Sequence, residues 1–85
     1  MFVKCLKLMI NLDRVQSVYV FSDNNHLNFQ FDSSQLTDTE SIKFVSHEAA
    51  VRAYYYIDSC LRANVLVCDL LDHMEKEDFV DAYYT

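Results

Sequence analysis

Residues 41–57 read SIKFVSHEAAVRAYYYI, and the apolar period changes inside this stretch. Up to Val45 it is two: Ile42 and Phe44 alternate with Ser41, Lys43 and Val45, as in a half-buried strand. From Ser46 it becomes helical. Ser46 suits an N-cap because its hydroxyl can accept from a free helical N–H, and Glu48 sits in the first turn, where the helix dipole favours negative charge. Ala50, Tyr54, Ile57, Leu61, Val65 and Cys68 then recur every three or four residues. A β part therefore gives way to a helical part at Ser46.

Upstream, Leu27, Phe29 and Phe31 alternate with Asn28, Gln30 and Asp32, and Gln16–Ser22 (QSVYVFS) is rich in β-branched and aromatic residues. Lys4–Ile10 reads as a first strand with Leu6, Leu8 and Ile10 on one side. Asn11–Arg14 and Asp23–His26 read as turns made without glycine, since Asn and Asp bond their own backbone and tolerate the left-handed region. Ser33–Glu40 is the longest polar connection. Downstream, Leu70, Leu71, Met74, Phe79, Val80 and Tyr83 continue an apolar stripe, and Asn64 is the one mild breaker. The expected fold is α+β in one domain, 1–85. A four-stranded antiparallel meander (1–45) precedes C-terminal helices (46–83) packed on one face. Glu48–Arg52 and Asp58–Arg62 are spaced as helix ion pairs.

The 85 residues contain no glycine and no proline, where roughly ten would be usual. Phosphate-cradling loops, dinucleotide fingerprints and the nucleophile elbow need glycine, because backbone there approaches a ligand or takes positive φ. Those motifs are excluded. Three cysteines and three histidines fall in no nucleophile motif, and no carboxylate stands alone in an apolar run, where its pKa would rise. The expectation is a protein that is not an enzyme and takes no cofactor or metal. A weaker option is a metal-dependent enzyme using Cys68, Asp69 and His73, which lack paired-Cys or HExxH spacing. An odd number of cysteines without a CxxC unit or a signal-peptide pattern suggests a reduced, cytoplasmic setting.

Charge and aromatics carry the functional reading. Net charge is −6, which disfavours direct nucleic-acid or anionic membrane binding and permits a basic protein partner. The acids concentrate in 69–81: Asp69, Asp72, Glu75, Glu77, Asp78 and Asp81 stand against Lys76. On a helix, carboxylates at 1.5 Å rise per residue would imitate a phosphate backbone and steer the chain onto a basic nucleic-acid-binding cleft. A solvated, merely solubilising face explains the same residues. Tyr83 would add contact at the end of that face. Tyr54-Tyr55-Tyr56 cannot all face one core, because neighbours on a helix point about 100° apart. Tyr55 or Tyr56 is therefore expected at an interface. A small domain with this many apolar and aromatic residues also favours self-association, and the second reading is a homo-oligomeric module with Tyr55, Tyr56 and Tyr83 in a symmetric interface, as in a homodimer.

The run INLDRVQSVYVF, then LNFQFD, then SIKFVSHEAAVRAYYYI, within residues 10–57, resembles small meander-then-helix proteins of phages and mobile elements. In size and lopsided acidity the chain is similar to anti-CRISPR inhibitors. That resemblance implies a compact inhibitor that occupies a nuclease's nucleic-acid-binding surface without doing chemistry. It carries over no individual residue, and the total absence of glycine departs from many proteins of that kind.

Overall fold

The computed structural model describes residues 1–6, 8–31 and 39–80. Among these residues the fold is α+β, with six strands in two sheets and one α-helix. The strands are β1 (Phe2–Cys5), β2 (Leu8–Asn11), β3 (Val15–Tyr19), β4 (His26–Phe31), β5 (Thr39–Lys43) and β6 (Val67–Asp69), and the helix is α1 (His47–Arg62). No helix among the described residues is long and apolar enough to cross a membrane.

The expected four-stranded meander divides into two sheets. β3, β4 and β5 form an antiparallel meander, in which Leu27 pairs with Ile42 and Val18 with Phe29. The stretch expected as one first strand is instead a hairpin, with Cys5 opposite Leu8. Leu6 makes the reversal with φ 54°, an unfavourable angle for a residue with a Cβ. A period of two runs unchanged through a two-residue reversal, so alternation alone cannot reveal it. β1 then pairs in parallel with β6, Val3 beside Cys68.

The helical part is also shorter than expected. Ser46 caps α1 as anticipated, its Oγ accepting from the Ala49 N–H at 3.1 Å. The helix stops at Arg62, because Asn64 takes φ 57°. The Val65 N–H then donates to the Cys60 carbonyl and the Asn64 N–H to the Leu61 carbonyl, each at 3.2 Å. These are the paired bonds of a Schellman stop, in which a left-handed residue lets the chain satisfy the last carbonyls. Beyond it Val67–Asp69 extend into the sheet, and 3-10 turns follow at Leu70–Asp72 and Lys76–Asp78. The second helix expected over the acidic region is absent from the described residues. An isolated helix there would lack a partner for its apolar side, whereas an extended β6 buries Cys68 against Val3.

One core joins both sheets to α1. Leu27, Phe29, Ile42 and Phe44 are fully buried beneath Ala49, Ala50, Ala53 and Ile57. The helix thus presents alanines to the sheet, while Tyr54 and Leu61 of the expected stripe stay 37% and 52% exposed. Small side chains let the helix approach closely, and the bulkier residues turn toward its flanks. Phe79 closes the core against Phe44, ring centroids 5.0 Å apart.

Candidate functional site

Two flanks of α1 carry the described residues that the sequence singled out. The first faces the segment 66–80. Leu70, Met74 and Phe79 drop into the core, and between them Asp72, Glu75 and Glu77 stay exposed. Spaced apolar anchors in a chain of short turns hold the intervening carboxylates outward. Asp69 and Asp78 are half-buried and do structural work. Asp69 accepts from the Leu71 N–H at 3.0 Å, and Asp78 accepts from the Glu75 N–H at 3.0 Å. Asp78 also pairs with Arg52 of α1 at 3.1 Å. The sequence suggested Glu48 as the partner of Arg52. The helix delivers the guanidinium to the acidic segment instead, while Asp58–Arg62 forms as anticipated at 3.1 Å.

The carboxylates therefore do not climb a helix at regular rise, and the phosphate-ladder geometry is corrected. They stand on consecutive turns. Asp81 and Tyr83 lie outside the described residues.

Tyr56 belongs to this flank. Its ring stacks on His73 with centroids 4.5 Å apart and planes 8° from parallel. Burial, and then the neighbouring Cys60, pushes its hydroxyl up to about 12, with Cys68 and Asp72 acting the same way. Burial is also the leading cause that raises the Cys68 thiol, helped by a hydrogen bond with Cys60. Cys5 is pushed up to about 12 by burial and then by Asp69. All three cysteines are free and buried. Protonated thiols in an apolar core are poor nucleophiles and poor ligands. Asp69 and His73 share no helix face, and Cys68 points into the core. Among the described residues, no group of three or more metal-ligating side chains is gathered.

The second flank holds Val51, Tyr54, Tyr55, Asp58 and Leu61 over the inner side of β3. α1 crosses β4, so the middle of β4 is buried while no β3 residue is fully buried. The uncovered strip is a groove of about 370 Å³, lined by Leu12, Val15, Val18, Tyr54, Ile57 and Leu61 among others. Tyr55 is 64% exposed and packs edge-on against Tyr54, centroids 5.3 Å apart. Tyr55 and Tyr56, which the homo-oligomeric reading placed in one symmetric interface, are thus on different flanks. The groove was not foreseen because the run QSVYVFS is apolar on both faces, and its pattern does not say which side chains a helix leaves uncovered.

The other face of the meander is polar. Asn28, in the central strand, donates to the Tyr19 and His26 carbonyls, and the Ser41 hydroxyl donates to its Oδ1 at 2.8 Å. Ser17 and Gln30 bond alongside at 3.3 Å. Comparison with protein-family models, with curated proteins and with solved structures returns no match.

Proposed function

We propose that this chain is a non-catalytic interaction protein that docks its acidic segment, 69–78, on a basic surface of a nucleic-acid-handling partner. In the sharper form suggested by its resemblance, it is a phage-type inhibitor that blocks that surface. One observation carries the reading: Leu70, Met74 and Phe79 are anchored in the core while Asp72, Glu75 and Glu77 between them face solvent. Carboxylates fixed this way lose little conformational freedom on binding and steer a basic partner electrostatically. The Arg52–Asp78 pair and the Tyr56–His73 stack brace the segment against α1. The buried thiols of Cys5 and Cys68, both pushed up by burial, fit a role without chemistry.

The test is capture of a partner from the host on immobilised protein, then titration of that purified partner against nucleic acid. The expected partner is basic, is displaced by nucleic acid, and binds less tightly as salt rises, because exposed charges are screened beyond about 8 Å at physiological ionic strength. The triple variant D72K/E75K/E77K should abolish capture with the fold intact. It spares Asp78, which the structure uses as a brace. Binding indifferent to salt and to this variant would overturn the proposal.

A further inference from the structure

We infer that the outer edge of β3 and the groove beside it form the contact between two copies of this chain, paired antiparallel about a two-fold axis. This does not rest on the acidic docking reading, since it uses the opposite flank of α1.

The two edges of the meander are treated differently. The β5 edge continues into the segment 78–80: the Val45 N–H donates to the Asp78 carbonyl at 2.9 Å and the Val80 N–H to the Lys43 carbonyl at 3.2 Å. No described strand pairs with the outer edge of β3. Edge strands in monomers are usually blunted with charge, proline or brevity. β3 reads VQSVY, without a charge or proline, and is the longer exposed edge beside the four-residue β2 and three-residue β6.

The register of self-pairing follows from one irregularity. The strand is bulged between Val15 and Ser17. Regular edge therefore begins at Ser17, and a two-fold axis at Tyr19, which sets Tyr19 opposite its own copy and Val18 opposite Val20, pairs the regular part with itself and keeps opposed side chains on one face. With the bulge counted as one position, that register sets the Arg14 end of one copy's edge beside the Asp23 end of the other's, twice over. Both side chains are exposed, and neither has an ion-pair partner among the described residues. Opposite charges at the two ends of one edge are what antiparallel self-pairing needs.

Spacing supports the same occupant. Each helix lies over its own β4, so pairing through β3 sets the two helices three strand spacings apart, about 14 Å. Helices in contact sit about 8–10 Å apart. The intervening space lies over the two grooves, and the outward Tyr54, Tyr55 and Leu61 of each copy fill it. Tyr55, Leu61 and Phe21 are 64%, 52% and 56% exposed. A stable interface takes roughly 800 Å² from each partner, which is about one-seventh of the 5539 Å² surface and within reach of this strip.

The experiment is sedimentation velocity of the full chain between about 1 and about 100 µM, with circular dichroism to check folding. Wild type should show a dimer. V18K, which places a charge beside the edge, should be monomeric. R14D should weaken association by roughly tenfold, since two pairs are lost per dimer, and R14D/D23R should restore it. Arg14 and Asp23 are exposed, so these variants decide the matter even if V18K fails to fold. A wild-type monomer across the range, or a dimer that R14D leaves unchanged, would overturn the inference.

Discussion

Arg52, one turn into α1, reaches across to Asp78, with Nη2 3.1 Å from Oδ1. The residues are 26 apart in sequence. The same carboxylate accepts from the Glu75 N–H through its other oxygen, so Asp78 ties the acidic segment both to itself and to the helix. Arg52 is nearly half-exposed, which screens the charge pair. R52A should therefore cost about 0.5–1 kcal/mol, while D78A, which also strips a backbone donor, should cost about 1–2 kcal/mol. Urea denaturation of the two variants checks the order. Equal losses would mean the backbone bond contributes nothing.

Asn64 ends the helix by adopting φ 57°. Glycine takes that angle freely and a β-branched residue resists it. N64G should leave the melting temperature unchanged or raise it, and N64V should lower stability by about 1–2 kcal/mol. A stable N64V would show that the Schellman stop does not direct the chain into β6.

Cys5 has an ordinary value of 9.0 and is raised to about 12 in the folded chain by burial and by Asp69. Tyr56 rises from 10.0 to about 12. For an acid held neutral by folding, the unfolded chain loses its proton first, so the contribution to stability is complete below pH 9 and is lost as pH climbs toward 12. Unfolding followed against pH should show a fall across that window. C5V should make it shallower, with Tyr56 and Cys68 still contributing, and Cys5 in wild type should resist thiol reagents at neutral pH.

Ala53 is fully buried where α1 meets the sheet. A53L would force the helix away from Leu27 and Phe29 and should cost about 1–3 kcal/mol by overpacking. Y54L, on the groove flank, should leave stability within about 0.5 kcal/mol. Thermal melts of the two variants separate the core side of the helix from its free flank.

Local pattern made much of this protein legible. The helix start at Ser46, the strand through Leu27 and Phe29, the glycine-free turn at Asn11–Arg14 and the Asp58–Arg62 pair all depend on neighbours within a few residues, and each is present. The turn at Asp23–His26 also bonds its own backbone, with the Asn24 side chain accepting from the His26 N–H. It manages this without a positive φ. The helical stripe was misjudged because tyrosine and leucine outweigh alanine in any count of apolar bulk. The face that binds the sheet is the one with the smallest side chains.

By itself, the sequence determined where regular structure begins, which residue types it excludes from glycine-dependent chemistry, and where negative charge is concentrated. Only the tertiary structure decided that Lys4–Ile10 folds back on itself, that Val67–Asp69 joins β1 in parallel, and that the acids stand on turns anchored by Leu70, Met74 and Phe79. Those outcomes hang on contacts between residues far apart in the chain, and a short apolar run is equally at home in a helix or a strand until its partner is known.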